Sequence, residues 1–577
     1  MSVESIITEN LDIWTSAIKI KSASGRGSSS KLELYGIKKL RELILELAVT
    51  GKLLKANPNE LSKKAAIEEY EIAKALKLEM INSGRASKTR GVSENEGGVI
   101  HSGYNESWET CLLDDIAWPQ AGFAFKSNSF NEDGVGLPII RIRDVGNDFS
   151  GTFYDGDYRD EFLVSKGDIL VSMDGEFRVR RWKNSNALLN QRVSRIHFVE
   201  SVDNKFFEWA LQIALRSLQG AKSYTTVDHL STKQIGSSKL PFPPISEQKE
   251  IVNRVDELMS LCDQLESQTE TSIEAHQTLV KSLLETLANA KDADELNESW
   301  QRISAHFDVL FTTEESIDQL KQTILQLAVM GKLVKQDPND EPASKLLERI
   351  AAEKEQLIKD KKIKRQKSLP ALKESELPFA LPTGWEWARV WDVAHTITSG
   401  SRDWAKYYSD HGAIFVTMGN LSRNSYKLRL ENIRYVTPPE TGEGTRTKLE
   451  ENDLLISITG DVGNLGLIPP EFGEAYINQH TAMLRLMPEC QNRFFAELMR
   501  SPLAKYQFDA PQRGIKNSFR LGDVGEMYIP IPPISEQIKI VEKIDHMMMV
   551  CDSMIDKLKE LQITKQKITD SILITDF

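Results

Sequence analysis

From Ile251 onward, an apolar seam with a polar centre recurs at alternating steps of four and three: Ile251, Val255, Leu258, Cys262, Leu265, Thr269, Ser272, His276, Leu279 and Leu283. A stripe repeating every ~3.5 residues keeps one face of an α-helix against a partner, so the pattern predicts a long helix with a coiled-coil seam. A second run lies 289 residues later, at Ile540, Ile544, Met547, Cys551, Met554, Leu558, Leu561, Lys565, Ile568 and Ile572. Both runs follow Pro-Pro-Ile-Ser-Glu-Gln. The prolines stop an incoming strand, and Ser246 or Ser535 is positioned to cap the helix. Glu247 or Glu536 then falls in the first turn, where the helix dipole favours a carboxylate. Cys262 and Cys551 are expected in core packing, and His276 as a polar device fixing the register.

Residues 108–240 and 385–530 have a different texture. Short β-branched runs (PIIRIRDV, DILVSM, AIFVTM, DLLISI) are broken by Gly, Asn and Asp, which predicts small, loop-rich α/β domains. A Gly/Ser-rich stretch at 83–107 is expected to link the N-terminal helices to the first of them. The charge run Lys359–Lys367 reads as a solvated helix face or hinge before the second.

The chain also repeats itself. LAVTGKLLKANPNE at 47–60 returns as LAVMGKLVKQDPND at 327–340, SWETCLLDDIA as GWEWARVWDVA, and LPFPPISEQ as IPIPPISEQ. The offset drifts from 277 to 289, so insertions fall inside the loop-rich halves, where loops vary on a fixed scaffold. The 577 residues are therefore two copies of one unit.

Composition narrows the chemistry. With 40% hydrophobic residues the chain is neither a disordered polyanion nor a small disulfide scaffold. Four cysteines without a CxxC pair or zinc-ligand spacing suggest a reduced, cytoplasmic protein, and neither a signal peptide nor a membrane span is expected. The net charge of -12 counts against a generic nucleic-acid coat protein. It is unevenly spread, however: 108–240 and 385–530 each carry 16 basic and 18 acidic residues, leaving -8 to the helices and linkers.

No catalytic constellation is present in the sequence. Gly51-Lys52 and Gly331-Lys332 lack both the upstream glycine and the Ser/Thr of a phosphate loop, and read as helix ends capped by glycine. The Pro-Pro pairs lack the motif that holds a flipped base's amine. No zinc-hydrolase, nucleophile-elbow or nuclease pattern appears, and no metal site is expected. What remains is recognition. Arg178, Arg180, Arg181 and Lys183 interleave with aromatics in the first copy, after Arg141 and Arg143; Gln512, Arg513, Lys516, Asn517 and Arg520 cluster late in the second. Such side chains suit phosphates and base edges. Asn190-Gln191-Arg192 and Asn478-Gln479-His480 occupy matching places, where the amides either contact adenine or close a turn.

Two dissimilar loop-rich domains share one frame. Each opens with Trp108-Glu109 or Trp385-Glu386, passes through an Asp-Ile/Leu-Leu-Val/Ile-Ser strand and an Asn-Gln turn, and closes with Pro-Pro-Ile-Ser-Glu-Gln before a heptad helix. This frame resembles the specificity subunit of type I restriction-modification systems, in the branch with an extended N-terminal helical arm. The first domain departs more: Asn-Glu-Ser replaces Pro-Thr-Gly before the tryptophan, and Arg-rich sequence replaces the loop at 460–463.

The resemblance implies an α+β chain in which two repeated α/β target-recognition domains are joined by long antiparallel coiled-coil helices with pseudo-two-fold internal symmetry. The expected divisions are an arm and linker at 1–107, recognition domains at 108–244 and 385–532, a central helical region at 245–384 and a C-terminal helix at 533–577. It also implies a non-catalytic, sequence-specific DNA-binding subunit that reads a bipartite asymmetric duplex site with a fixed spacer. That subunit binds no cofactor. Its partners are two modification subunits, which bring S-adenosylmethionine and adenine methylation, and restriction subunits, which bring ATP, Mg and cleavage. Two other classes stay open: a coiled-coil assembly protein that never touches DNA, and an enzyme with unrecognised duplicated active sites.

Overall fold

The computed structural model describes residues 3–21, 31–54, 60–101, 103–219, 229–291, 293–365, 372–373, 375, 377–440, 442–509 and 519–574. It divides into two compact units, 1–271 with 562–577, and 272–561. Each unit has its own copy of a helical arm and a β-rich region, so the fold is α+β and internally repeated.

In each unit the arm's first helix, Tyr35–Thr50 or Glu314–Val329, buries an apolar stripe (Ile37, Leu40, Ile44 and Leu47; Ile317, Leu320, Ile324 and Leu327). Gly51 and Gly331 end the repeated Leu-Ala-Val segments in the left-handed region, at φ 75° and 70°. Lys52 and Lys332 donate their N–H back to Leu47 O and Leu327 O, as a glycine-terminated helix end requires. A side chain here would also collide, with Trp108 in one copy and with Pro382 and Trp385 in the other.

The β-rich regions share one topology. The opening strand Glu109–Leu112 pairs antiparallel with the closing strand Lys239–Phe242, and Glu386–Arg389 pairs likewise with Tyr528–Ile531. Both ends of each region are thereby held together. A four-stranded antiparallel sheet follows, in the order Val179–Arg181, Ile169–Ser172, Val193–Phe198, Ala117–Ala121; its counterpart is Leu465–Leu467, Leu454–Ser457, Thr481–Leu486, Ala394–Ser399. A second sheet contains the one parallel pair described in each copy, Leu137–Ile140 with Ala187–Leu189 and Ala413–Val416 with Ala475–Ile477. The expected α/β character is thus corrected to largely antiparallel sheets packed beside helices.

Two further expectations are corrected. The long helices run Ile245–Ala288 and Ile534–Ile574, so Ser246 and Ser535 lie inside the first turn and do not cap it. Pro244 O and Pro533 O instead accept the first helical N–H groups, from Gln248 and Gln537, and Glu69 Oε2 accepts from Ile245 N at 2.6 Å.

The apolar stripe is buried through Cys262 and Cys551, with Ile251, Val255, Leu258, Ile540, Ile544 and Met547 buried and Leu265 and Met554 half-buried. Beyond that it slips by one residue in both helices. Leu279, Leu561 and Ile568 are exposed, while Val280, Leu284, Leu287 and Thr569 are buried. An α-helix has 3.6 residues per turn, so a stripe that stays buried on a straighter helix moves from a seven-residue to an eleven-residue repeat. His276 Nε2 donates to Leu310 O at 2.8 Å.

The Gly/Ser-rich stretch is packed against the first β-rich region. Lys239 donates to Gly98 O, Ser93 N to Ser237 Oγ, and side chains at Gly97 or Gly98 would overlap the backbone of Ser237 or Ala214. Its glycines permit close approach.

Candidate nucleic-acid interface

Topology gathers the candidate loops. In the first copy Ile140 and Leu189 are paired on parallel strands, so Arg141 and Asn190 leave adjacent strands at the same end. In the second, Val416 and Ile477 bring Thr417 and Asn478 together in the same way. The loop after the neighbouring sheet joins them: Met173 N donates to Arg192 O at 3.0 Å, and Ile458 N to His480 O at 3.0 Å.

The backbone frame at this end is the same in both copies, bond by bond. Ser172 Oγ donates to Glu176 O (2.6 Å) and accepts from Arg178 N (2.8 Å); Ser457 Oγ donates to Asp461 O (2.5 Å) and accepts from Asn464 N (2.8 Å). Gly175 and Gly460 make the turn at φ 70° and 71°. Leu230 N closes onto Met173 O, and Phe519 N onto Ile458 O. Gly122 and Gly400 lie so close to the Asn-Gln turn that a Cβ would overlap its backbone carbonyls. The second loop is one residue longer between the serine's two partners, which accounts for part of the drift in offset.

What the frame carries differs. In the first copy Arg178 pairs with Glu176 (2.5 Å), and Arg180, exposed on its strand, donates from Nη1 to Val179 O and Gln212 Oε1, both at 2.7 Å. The loop at Gly146 packs against the stems of Arg178 and Arg180. Arg143 reaches Thr152 Oγ1 at 3.3 Å, and Lys183 is exposed. Asp174 Oδ1 lies 2.6 Å from His229 Nδ1, while its Oδ2 lies 3.4 Å from Arg192 Nε. In the second copy Asn464, Gly466 and Leu467 stand where Arg178, Arg180 and Arg181 do. Arg423 bonds Val462 O there, and His480 is held between Thr459 Oγ1 (2.6 Å) and Gln479 Nε2 (2.7 Å).

Several sequence candidates have structural duties. Arg181 Nε sits 2.6 Å from Glu208 Oε2, whose carboxyl burial pushes up in pKa against the opposing guanidinium. Breaking that pair strands a buried carboxylate, so Arg181 is removed from the exposed set. The aromatics of the basic cluster, Phe177 and Trp182, are core residues and present no stacking face. Asn190 Oδ1 accepts from Gln191 N, and Asn478 Oδ1 from His480 N and Thr481 Oγ1, so both asparagines close their turns. Arg141 caps a short 3-10 helix, its N–H donating to Asp144 Oδ2 at 2.7 Å. Gln191, Arg192 and Arg520 are exposed. Gln512, Arg513, Lys516 and Asn517 lie outside the described residues. Sequence reasoning missed Asp174, His229, Thr459 and Arg423. The Asp-Gly and Thr-Gly turn signals at 174–175 and 459–460 were the available clue.

The Pro-Pro-Ile-Ser-Glu-Gln motif joins this platform to the long helix. Gln248 Nε2 donates to Pro243 O while its Oε1 accepts from Asp203 N; Gln537 Nε2 donates to Pro532 O while its Oε1 accepts from Asn492 Nδ2. In the second copy buried Glu536 also accepts from Trp385 Nε1 (2.9 Å) and Gln336 Nε2 (3.0 Å). Among the described residues no group of His, Cys, Asp or Glu could hold a metal ion, and no helix is long and apolar enough to cross a membrane.

The family described as the type I restriction modification DNA specificity domain matches twice, at residues 105–275 and 382–562. The EcoEI type I restriction enzyme specificity subunit of Escherichia coli is 34% identical over 614 aligned positions, covering 99% of each chain. The EcoAI specificity subunit of E. coli is 33% identical, again over 99% of each. The EcoBI specificity subunit, also from E. coli, is 25% identical over 84% of this chain and 88% of its own.

Proposed function

The chain belongs to the type I restriction modification DNA specificity family, and on that premise we propose that it reads a bipartite, asymmetric duplex DNA site across a fixed spacer. Each β-rich region reads one half-site through the loops that converge at its strand ends. The observation that carries this reading is the repeated frame with unlike contents. The serine staple, the glycine turn and the Asn-Gln turn recur, while arginines and an Asp-His pair in one copy give way to Thr, Gln and His in the other. Two unlike readers on one scaffold can specify two unrelated half-sites, which a symmetric homodimer cannot.

The long helices pack antiparallel as a coiled-coil ruler that sets the spacer. They also carry the docking faces for two modification subunits, which supply S-adenosylmethionine and adenine methylation. Restriction subunits add ATP- and Mg-dependent cleavage. The chain itself is non-catalytic and binds no cofactor. Its net charge of -12 fits weak binding alone, with affinity completed by more basic partners.

The test is selection from a randomised duplex library by the chain assembled with its modification subunits. A split motif with an unread gap of constant length is the expected product. Recovery of unselected sequence would favour an assembly protein. Methylation by the purified chain alone, given S-adenosylmethionine, would favour an enzyme.

A further inference from the structure

Resting on that reading, we infer that the pair Arg192 with Asp174 determines a guanine in one half-site, and the pair Gln479 with His480 an adenine in the other. The two pairs meet at one place in the repeated frame, where Arg192 is the counterpart of His480 and Gln479 is the residue before it. Arg192 O and His480 O accept the equivalent strand-end N–H groups of Met173 and Ile458, and Asp174 and Thr459 are the next residues. Backbone held by the same bonds brings both pairs to the same strand end, so unlike side chains there meet unlike bases.

In the first copy the side chains of Arg192 and His229 are each 51% exposed, and that of Asp174 is 20% exposed. Asp174 Oδ2 faces Arg192 Nε at 3.4 Å, an ion pair that biases the guanidinium toward this orientation. His229 Nδ1 lies 3.2 Å from Arg192 Nη1 and 2.6 Å from Asp174 Oδ1. A nitrogen that donates to the carboxylate cannot also accept from Arg192, so His229 leaves the Nη edge as a donor pair. A donor pair held in one plane matches the O6 and N7 acceptors of guanine. Asp174 acts through Arg192 and is a positioning residue.

In the second copy His480 is fixed by donating from Nδ1 to Thr459 Oγ1, which makes its Nε2 an acceptor for the Gln479 amide. The amide keeps its carbonyl and a second N–H for the N6 and N7 edge of adenine. Neither pair contributes to the core, and neither touches the buried ion pair of Arg181 with Glu208.

The experiment uses the full chain with its modification subunits. Methylation rates are compared on the selected duplex and on duplexes with each base pair replaced in turn. Arg192→Ala is expected to collapse discrimination at one guanine of one half-site, from about 5- to 150-fold to near unity, leaving every other position unchanged. Arg192→Lys should keep part of it. Asp174→Asn should lower it at that same base pair, chiefly through KM. Gln479→Ala should do the same at one adenine of the other half-site. Equal slowing on all duplexes with discrimination intact would make these residues loop staples and overturn the inference. So would altered discrimination in both half-sites from one substitution. A wild-type complex with no split motif would instead defeat the proposed function itself.

Discussion

Removing the Glu536 carboxylate should loosen the joint between the second β-rich region and its long helix, and the structure sets the size of the effect. Glu536 is 1% exposed and accepts from Trp385 Nε1 at 2.9 Å and Gln336 Nε2 at 3.0 Å, while the Trp385 ring lies on Gly331 at the arm's helix end. Glu536→Ala leaves buried Trp385 Nε1 without its acceptor, at about 1–3 kcal/mol, while Gln336 Nε2 keeps Gly331 O and Val334 O. Part is offset because the carboxylate's own burial, which raises its pKa, disappears with it. A net loss of about 1–2 kcal/mol is expected, and a smaller one for Glu536→Gln, which keeps one acceptor. Hydrogen exchange reads local opening directly. Amides at 327–334, 386–389 and 536–541 should exchange about 5- to 30-fold faster in the alanine variant and less than about 5-fold faster in the glutamine variant. Unchanged protection in Glu536→Ala would refute the joint.

The pH dependence has a definite sign. The folded pKa is raised above the usual 4.5, so the folded state holds its proton more tightly than the unfolded state. Stability therefore falls as pH rises from about 4.5 through the folded value, and Glu536→Gln should lack that fall.

Three other outcomes are expected. His197, whose pKa burial and Arg195 push down to about 4, lies folded against Gln120 and Trp118 as the neutral imidazole. The unfolded state takes up its proton near pH 6.5, so stability drops as pH falls from about 6.5 to 4, and His197→Gln should flatten that limb in a Tm-against-pH series. Arg181→Ala should lower Tm by stranding Glu208 without changing the salt dependence of DNA binding; Arg143→Ala or Lys183→Ala should leave Tm in place and reduce the salt slope by about one if either holds a phosphate. Adding one heptad to both long helices near 269–270 and 558–559 lengthens each by about 10 Å, so the unread gap should grow by about three base pairs; an unchanged gap would count against the ruler.

The framework was legible because it depends on local chemistry. The Pro-Pro pairs follow the closing strands that end at Phe242 and Ile531, Gly51 and Gly331 accept the left-handed turn, and apolar seams follow helical period, so the repeat and its long helices could be read directly. The slip at Leu279 and Leu561 was not legible, because choosing between seven- and eleven-residue repeats depends on how straight the packed helix stays. Single-residue duties were also hidden. Arg181 and Arg180 are neighbours in a basic run, yet only the fold brings Glu208 beneath Arg181 and leaves Arg180 exposed. Gly97 and Gly98 look like linker glycines until Ser237 and Ala214 are packed against them. Asp174 and His229 are 55 residues apart, and no local pattern announces their pairing.

The central claim is that two separable readers share one chain. Its most direct test is to replace residues 108–244 with the corresponding region of the EcoEI specificity subunit and to sequence the methylated sites in cells that also carry the modification subunits. The account predicts a new sequence in one half-site, with the other half-site and the gap unchanged. A change in both half-sites, or in neither, would contradict it.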